Sequence, residues 1–261
     1  MQLEHRTALV TGASSGIGAV FAEQLAQAGA DLVLVARRAE ALDAVARRVT
    51  ERHGVDVVTI PADLAAPGAG RRLATELAQR GLDIDLLVNN AGFATHGAFA
   101  ESDAARTDEE VALNVGCVVE LTHELVPPMV RRGHGAVVNV ASTAAFQPVP
   151  YMAVYGATKS FVLAFSEALW GELADHGVDV LALCPGATET EFFQVAGDSA
   201  SVGRRQTPEQ VVATALKALQ RGTPPPSVVS GRANALAALL PRLVTRRAAV
   251  RITRKLMAAP A

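Results

Sequence analysis

The segment Thr11-Gly12-Ala13-Ser14-Ser15-Gly16-Ile17-Gly18 separates a short apolar run, Thr7–Val10, from residues of helical periodicity near 17–28. In such a strand–loop–helix, the first glycine permits a tight turn, the second lets the backbone approach a pyrophosphate, and the third allows close packing of helix on strand. The helix N-terminus adds free N–H groups and a partial positive charge. Glycines also serve simple turns, but this context near the chain start favours a dinucleotide phosphate loop.

Apolar runs alternate with segments of helical period along the rest of the chain. Successive apolar residues, as in Leu32–Val35, indicate strands covered on both faces, which is typical of a parallel sheet between helices. The predicted strands are Thr7–Val10, Leu32–Ala36, Val55–Ile60, Leu86–Asn89, Ala136–Val140, Val178–Cys184 and Ser227–Ser230. The predicted helices lie near 17–28, 39–52, 68–80, 104–132, 151–176, 208–221 and 233–257. The pattern predicts a single α/β domain with a doubly wound, seven-stranded parallel sheet and helices on both faces.

Composition restricts the class of protein. The 261 residues are 50% hydrophobic and 19% charged, which supports a buried core and excludes a disordered chain. Cys117 and Cys184 form no CxxC pair, so neither a disulfide scaffold nor a structural zinc site is expected. No apolar run reaches the ~18–20 residues of a membrane-spanning helix, and Met1–Arg6 is polar, so we expect a cytoplasmic protein.

Charge is distributed unevenly along the chain. The last 52 residues carry nine basic residues and no acidic ones, whereas the first 209 residues carry 15 basic and 26 acidic ones. Within the basic part, Arg232–Met257 alternates leucines and valines with arginines and a lysine, which predicts an amphipathic helix. Such a helix can contact an anionic membrane surface; alternatively, its apolar face packs on the sheet or on a second subunit. Nucleic-acid binding is not expected, because no aromatic stacking platform accompanies the charge.

The end of the second predicted strand indicates which dinucleotide binds. A ribose 2′-OH is read by an acidic residue and a 2′-phosphate by a cation. The sequence there is Val35-Ala36-Arg37-Arg38, without a carboxylate, and a guanidinium can bind a phosphate through two hydrogen bonds. Ser14 and Ser15 add hydroxyl donors. The sequence therefore favours NADP over NAD, although both arginines also fit a solvated helix start.

Tyr155 and Lys159 lie four residues apart in a predicted helix, which places both side chains on one face. A phenol has a reference pKa near ~10 and is a poor base at neutral pH, but an adjacent ammonium favours the phenolate. Tyr155 could then exchange a proton with a substrate oxygen. Ser142 follows the fifth predicted strand and could donate a hydrogen bond to the same oxygen. Alone, a pair at this spacing also fits ordinary helix-surface decoration.

Together these motifs resemble the short-chain dehydrogenase/reductase family, over about Thr7 to Ser230. The resemblance rests, in order, on Thr11-Gly12-x3-Gly16-x-Gly18, Asp63-Leu64, Asn89-Asn90-Ala91-Gly92, Asn114, Ser142, Tyr155-x3-Lys159 and Pro185-Gly186. It implies a Rossmann-like fold and a homodimer or homotetramer. One small departure is Thr188, where many members carry a branched aliphatic residue.

The resemblance implies roles for the matching residues. Tyr155 would be the acid/base, Ser142 would polarise the carbonyl, Lys159 would bind the ribose and lower the pKa of Tyr155, and Asn114 would hold a water in a proton relay to Lys159. Asp63 would contact the adenine, Asn90 would steady the cofactor, and Thr190 would meet the nicotinamide carboxamide. The expected cofactor-binding residues are Gly12, Ser14, Ser15, Gly16, Ile17, Gly18, Arg37, Arg38, Asp63, Leu64, Asn90, Ala91, Gly92, Tyr155, Lys159, Pro185, Gly186, Thr188 and Thr190.

Simpler interpretations remain for some of these residues. Asn114 also fits a kink or cap within its helix, and Asp63 fits a loop cap. His96, His123 and His134 have no ligand-like spacing, so no metal site is expected.

Ligands of open α/β sheets bind beyond the carboxyl ends of the strands, which selects the loops 92–99, 143–152 and 187–205. Their apolar residues suit a lipophilic ketone or acyl chain better than a sugar. These residues are Phe93, Phe99, Phe146, Pro148, Val149, Pro150, Met152, Phe192, Phe193 and Val195. Residues 187–206, with Gly197 and Gly203, are expected to form a substrate loop that closes as a lid. We expect a domain over 1–231, including this loop, and a basic C-terminal extension over 232–261.

The sequence thus predicts an NADP(H)-dependent oxidoreductase that interconverts a ketone and a secondary alcohol by hydride transfer. A 3-oxoacyl or other keto-lipid is the first substrate class, and a steroid or xenobiotic ketone is the second. A protein that senses or scaffolds through NADP without turnover is the rival from another class. That rival would lack Tyr155 or Lys159, and both are present.

Overall fold

The computed structural model describes residues 3–192, 197 and 205–258. Its strands are β1 Thr7–Thr11, β2 Asp31–Ala36, β3 Val57–Pro61, β4 Leu86–Asn89, β5 Gly135–Val140, β6 Val178–Cys184 and β7 Ser227–Val229. They form one sheet in the order β3-β2-β1-β4-β5-β6-β7, and every neighbouring pair is parallel. The predicted doubly wound, seven-stranded parallel sheet is confirmed. Its strand order reverses between β1 and β4, where folds of this kind open a crevice.

Helices cover both faces of the sheet, as the sequence predicts. They are α1 Gly16–Gln27, α2 Ala39–His53, α3 Ala69–Gln79, α4 Ala104–Val111, α5 Val118–Arg132, α6 Ala153–Leu173, α7 Pro208–Leu219, α8 Arg232–Leu239 and α9 Arg246–Met257. One core joins the sheet to α1, α2 and α7, and the other joins it to α3 and α5, with part of α6 packed against it. No helix in these described ranges is both long and apolar enough to cross a membrane.

The predicted helical segment 104–132 is helical throughout, but it is not a single α-helix. The segment Ala112–Cys117 between α4 and α5 is π-helical. Asn114 lies in this segment, and its side-chain amide bonds to groups outside the helix. Single π-helical turns of this type are frequent at functional sites.

The prediction of one helix over 233–257 is wrong. Helix α8 ends at Leu239 and is followed by a 3₁₀ turn, Leu240–Leu243, that contains Pro241. Proline lacks the N–H that a continuing helix needs and restricts the residue before it. The Thr245 hydroxyl then accepts a hydrogen bond from the Ala248 N–H at 3.3 Å and caps a new helix, α9.

Candidate active site

A cavity of about 920 Å³ lies at the carboxyl edge of the strands. It is lined by every expected cofactor-binding residue except Gly18, and also by Ser142. Asn114 lies outside this lining and is buried. The fold therefore gathers residues from across the sequence into one cleft.

The glycines of the phosphate loop occupy positions that a side chain would disturb. Gly12 and Gly16 have φ values of +67° and +54°, in the left-handed region that favours glycine. A Cβ on Gly18 would lie 2.3 Å from the Gly12 carbonyl oxygen and 2.6 Å from the Asn90 Nδ2. Gly18 therefore lets α1 pack directly against the loop, which explains why it lies beneath the cavity lining.

The start of α1 is open to an anion. Ser15 is extended there, its side chain makes no capping hydrogen bond, and the first turn of the helix holds no acidic residue. The first N–H groups of a helix have no partner within the helix, and the helix dipole adds partial positive charge. This end of the helix therefore suits a phosphate group.

The end of β4 holds the phosphate loop in place. The Asn90 Nδ2 donates to the carbonyl oxygens of Thr11 at 2.8 Å and Gly12 at 3.3 Å. In return, the Thr11 Oγ1 accepts from the backbone N–H groups of Asn90 at 2.9 Å and Ala91 at 3.0 Å. Thr11 begins the glycine motif, but its bond to Asn90 is not visible in the sequence, because only the parallel pairing of β1 with β4 brings the two residues together.

Arg37 and Arg38 extend into the cleft from the end of β2 with more than half of each side chain exposed. Arg38 pairs with Glu191 at 2.6 Å and lies 3.5 Å from the Ser14 hydroxyl, whereas Arg37 pairs with Glu109 at 3.5 Å. The Arg38 hydrogen bond is the main cause that lowers the pKa of Glu191. These contacts put a cation beside the phosphate loop.

Asp63 lies in the lining of the same cleft, and its carboxylate accepts a hydrogen bond from the Ala65 N–H at 3.1 Å. The residue thus caps its own turn, which was the simpler interpretation, while it also lines the cavity. Its expected contact with adenine stays a prediction.

Tyr155 and Ser142 meet inside the cavity. Ser142 follows β5 and caps a 3₁₀ turn, Thr143–Phe146, through a hydrogen bond from the Ala144 N–H at 3.1 Å. The pKa of the Tyr155 phenol is raised to about 12, chiefly by burial and in part by the charge of Glu110, while the hydrogen bond with Ser142 opposes the shift. Tyr155 is therefore protonated at neutral pH in this structure and can serve as a proton donor.

Lys159 is buried behind Tyr155. Its Nζ donates to the Val140 carbonyl oxygen at 2.7 Å and lies 5.8 Å from the centroid of the Tyr155 ring. Burial lowers the pKa of Lys159 to about 8, and nearby Cys184 and Glu110 oppose that shift. The ammonium is thus close to losing its proton under physiological conditions, which makes it sensitive to neighbouring charge.

Asn114 connects two parts of the site. Its Oδ1 accepts from the Phe93 N–H at 3.2 Å, and its Nδ2 donates to the Phe93 carbonyl oxygen at 2.9 Å and to the Thr158 Oγ1 at 3.2 Å. The amide thereby ties the loop after β4 to α6. Its expected role in holding a water stays a prediction, as do the other assigned roles, with one exception. The expected lowering of the Tyr155 pKa by Lys159 is not found, because burial raises that pKa.

The substrate end of the cavity is apolar, although part of the predicted lining is wrong. Phe93, Phe146, Val149, Met152 and Phe192 line it, and the rings of Phe192 and Tyr155 lie 5.6 Å apart. Three other predicted residues do not line it, namely Phe99, Pro148 and Pro150. A 3₁₀ turn carries Phe99 to the surface, where it is 66% exposed. Three further predicted residues, Phe193, Val195 and Gly203, fall outside the described residues.

The C-terminal helices supply a wall of the cavity that the sequence analysis missed. Leu240 and Leu243 of the turn after α8, and Ile252, Leu256 and Met257 of α9, line it. The side chain of His96 contacts the Met257 carbonyl oxygen at 3.2 Å, which ties α9 to the loop after β4. The apolar face of this segment therefore borders the cavity. The sequence had predicted instead that this face contacts a membrane, the sheet or a second subunit. The leucine spacing of the segment indicated an apolar face but not its position.

No group of three or more His, Cys, Asp or Glu side chains that could hold a metal ion occurs within residues 3–192, 197 and 205–258. Cys117 and Cys184 are both buried free thiols.

Comparisons with known proteins identify the family of this chain. The chain is 33% identical over 214 residues to the very-long-chain 3-oxoacyl-CoA reductase of Homo sapiens, covering 80% of this chain and 67% of that protein. A short-chain dehydrogenase from Sphingobium yanoikuyae in complex with NADPH is 37% identical, with a TM-score of 0.79, covering 91% of this chain and 94% of that one. The bulky-bulky ketone specific alcohol dehydrogenase from Comamonas testosteroni is 33% identical, with a TM-score of 0.77, covering 91% and 93%. Residues 6–200 match the short chain dehydrogenase family, and the chain therefore belongs to this family of oxidoreductases.

Proposed function

We propose that this protein is an NADP(H)-dependent reductase of bulky, lipophilic ketones. The reaction class, interconversion of a ketone and a secondary alcohol, follows from membership of the family. The observation that carries the proposal is the cavity itself, in which Ser142, Tyr155 and Lys159 face apolar walls. Its volume of about 920 Å³ lies at the upper end of the range for ligand pockets, so we expect it to accommodate the nicotinamide end of the cofactor together with a large substrate.

The residues present fit a phosphorylated dinucleotide. The open start of α1 and the side-chain-free surface of Gly12 and Gly16 would receive the pyrophosphate. Arg38, with Ser14, would bind a 2′-phosphate, and Arg37 would add positive charge. When bound, NADP(H) supplies or accepts the hydride. Arg38→Ala should weaken NADPH binding more than NADH binding in a fluorescence titration, and equal weakening of both would contradict the preference for NADP.

Residues of the protein would supply the proton and stabilise the charges that its transfer creates. In the direction of reduction, the Tyr155 hydroxyl donates its proton to the carbonyl oxygen as negative charge develops there, while Ser142 donates a hydrogen bond to the same oxygen. The Lys159 ammonium stabilises the phenolate that Tyr155 becomes. The apolar walls exclude water, which strengthens each of these interactions.

The decisive experiment removes one hydroxyl. Tyr155→Phe should reduce NADPH oxidation with a bulky aryl ketone by about 10²-fold or more, because the proton donor is lost, and should leave NADPH binding intact. The matched control is Tyr151→Phe, since the chain has two tyrosines and Tyr151 lies outside the cavity lining. Unchanged turnover in Tyr155→Phe would refute the mechanism, and NADPH binding without turnover of any ketone by the wild type would favour the sensor or scaffold.

Among lipophilic ketones, we place 3-oxoacyl and other keto-lipids first and steroid or xenobiotic ketones second. The segment from α8 to α9 adds apolar residues to the lining of the cavity, which favours a substrate with a long hydrocarbon chain. A series of 3-oxoacyl thioesters of increasing length, assayed beside steroid and aryl ketones, distinguishes the two classes. Rising kcat/KM with chain length supports the first class, and a maximum for steroids supports the second.

We further propose that α8 and α9 contact an anionic membrane surface. The six basic residues of these helices, and Arg242 in the turn between them, are all exposed, and none forms an ion pair with a carboxylate in the described part of the chain. Leu240, Leu243, Ile252 and Leu256 are more than half exposed and also line the cavity, so we infer that the cavity has an opening at this apolar surface. A second subunit seated there would cover that opening, whereas a bilayer would deliver a lipophilic substrate to it.

Vesicle sedimentation tests this contact. Wild-type protein should sediment with vesicles that contain about 30% phosphatidylglycerol and less with pure phosphatidylcholine. Arg247→Glu combined with Arg251→Glu should abolish the difference, while the control pair Arg47→Glu and Arg221→Glu should preserve it. Equal sedimentation of all three proteins would overturn the proposal. The homodimer or homotetramer and the cytoplasmic location both stay predictions.

A further inference from the structure

Glu110 is a carboxyl group with no exposed surface, one turn before Asn114. Its Oε2 accepts hydrogen bonds from the Thr95 N–H at 3.1 Å and the Thr95 hydroxyl at 2.7 Å. Its Oε1 is buried and has no hydrogen-bond partner within the described ranges. Burying an ionisable group in this way is costly, so its presence beside the active site requires an explanation.

Three side chains at four-residue intervals hold the same short segment. The Arg106 guanidinium lies 3.7 Å from the centroid of the Phe93 ring, Glu110 binds Thr95, and Asn114 binds the backbone of Phe93. Phe93 lines the cavity, and the segment continues directly from the cofactor-binding residues after β4. Glu110 is therefore one of three contacts that fix this wall.

Titratable groups on two elements interact with Glu110. Arg106 lies on its own helix and also pairs with Glu109. On the other side, Asn114, one turn after Glu110, donates to the Thr158 Oγ1 at 3.2 Å, so the segment that carries Glu110 is tied to the turn of α6 that carries Tyr155 and Lys159. Burial raises the pKa of Glu110, and the two Thr95 hydrogen bonds and the charges of Arg106 and Lys159 oppose that shift. In return, the Glu110 carboxylate raises the pKa values of both Tyr155 and Lys159.

We propose that Glu110 is a positioning residue of the active site, which fixes the Phe93–Thr95 wall and places a buried carboxylate on the side of α6 that carries Tyr155 and Lys159. A role of Glu110 in catalysis rests on the proposed function, whereas its effect on the ionisation of Tyr155 can be measured without any substrate. A neutral residue at this position leaves Lys159 with less support for its ammonium, because burial alone favours the neutral amine. The same change makes the Tyr155 phenol a stronger acid.

The test uses the ionisation of Tyr155 directly. In a Tyr151→Phe background one tyrosine remains, so phenolate absorbance near 295 nm reports Tyr155, and circular dichroism at each pH reports folding. Glu110→Gln keeps an acceptor for Thr95 but removes the charge, so the phenolate should appear about half a pH unit lower or more. Glu110→Asp keeps the charge and should titrate like the parent. The matched control is Glu109→Gln on the same helix, which should shift the phenolate titration of Tyr155 less than Glu110→Gln does.

Activity provides the second measurement. In Glu110→Gln, the pH at which kcat falls because Lys159 loses its proton should move in the same downward direction, and Glu109→Gln should leave it in place. Identical phenolate titrations in Glu110→Gln and Glu109→Gln would overturn the proposal. If Glu110→Gln does not fold, Glu110→Leu fills the same buried space without a charge and must also move the phenolate titration to lower pH. If no protein turns over any ketone, the proposed function fails while the titration still decides the role of Glu110.

Discussion

Arg38 and Glu191 form an ion pair at the position where the 2′-phosphate of NADP is expected. The two side chains are 2.6 Å apart and about half exposed, and Ser14 lies beside the guanidinium. A phosphate that binds Arg38 must replace the Glu191 carboxylate, which also repels it. Glu191 therefore competes with the cofactor for the same cation.

Glu191→Gln should therefore tighten NADPH binding by about twofold to fivefold, the range that an exposed ion pair supplies. NADH binding should change less, since NADH lacks the 2′-phosphate. Fluorescence titration of both nucleotides measures the two dissociation constants. Glu189→Gln, two residues away, is the control, and an equal gain in that variant would show a general charge effect instead of competition at Arg38.

Lys159 should make stability depend on pH. Because burial lowers its pKa to about 8 from the ordinary 10.5, the unfolded chain holds a proton that the folded chain lacks between these values. The contribution of this group to the free energy of unfolding therefore rises as pH rises from 8 to 10.5. The Lys159→Met variant lacks this pH-dependent contribution. Its free energy of unfolding, measured relative to that of the wild type, should therefore fall by roughly 2 kcal/mol between pH 7 and pH 10.

Urea unfolding at several pH values measures this difference. Lys217→Met, on the exposed side of α7, is the control and should keep a constant difference from the wild type. If the free energy of unfolding of Lys159→Met also differs from that of the wild type by the same amount at every pH, then the folded protein does not disfavour the Lys159 ammonium.

At the scale of residues, the sequence indicates side chains whose chemistry is visible in local motifs, such as Tyr155 with Lys159. It does not indicate partners that only the fold brings together. Arg38 and Glu191 are 153 residues apart, and Thr95 reaches Glu110 only because the loop after β4 folds back on α4. Buried carboxylates such as Glu110 are invisible because an acidic residue in a helix ordinarily lies on its solvated face.

Among the elements, the β1–α1 unit depends most directly on one residue. A Cβ at Gly18 would overlap the Gly12 carbonyl oxygen at 2.3 Å, so α1 would have to move away from the phosphate loop. Gly18→Ala should destabilise the protein by more than ~1 kcal/mol and weaken NADPH binding, although alanine favours helices intrinsically. Gly171→Ala is the matched control, because a Cβ there meets nothing within 4 Å in α6, and it should stabilise slightly. Thermal unfolding and nucleotide titration decide, and a Gly18→Ala protein as stable as Gly171→Ala would contradict the packing argument.

The strands were predictable because a buried parallel strand is a short apolar run, and six of the seven sit within about one residue of their expected ends. The interruptions of helices were not. The π-helical segment at Asn114 depends on hydrogen bonds to Phe93 and Thr158, which lie 21 and 44 residues away. The break after Leu239 had a local signal in Pro241, but the amphipathic pattern continues across it.

For the molecule as a whole, the chain order of strands and helices determines the sheet, while the position of residues 232–258 follows from tertiary packing. Met257 is buried against Ala94, Val149 and Met152, in a small cluster separate from the two main cores. The apolar face of α9 therefore belongs to the substrate side of the cavity. This separation supports a boundary near residue 231 between the sheet domain and a C-terminal wall.

A protein shortened to residues 1–231 tests that boundary. Because β7 ends at Val229 and both main cores involve residues before 231, the shortened protein should unfold cooperatively and bind NADPH within about threefold of the full chain. Its KM for a long-chain ketone should rise by about tenfold or more, because burial of the chain against α9 is lost, while a small ketone should be affected less. A milder full-length variant, Ile252→Ser, should move both KM values in the same direction by smaller factors. Loss of cooperative unfolding in the shortened protein would instead make α8 and α9 part of the folding unit, and equal losses for large and small ketones would remove them from substrate selection.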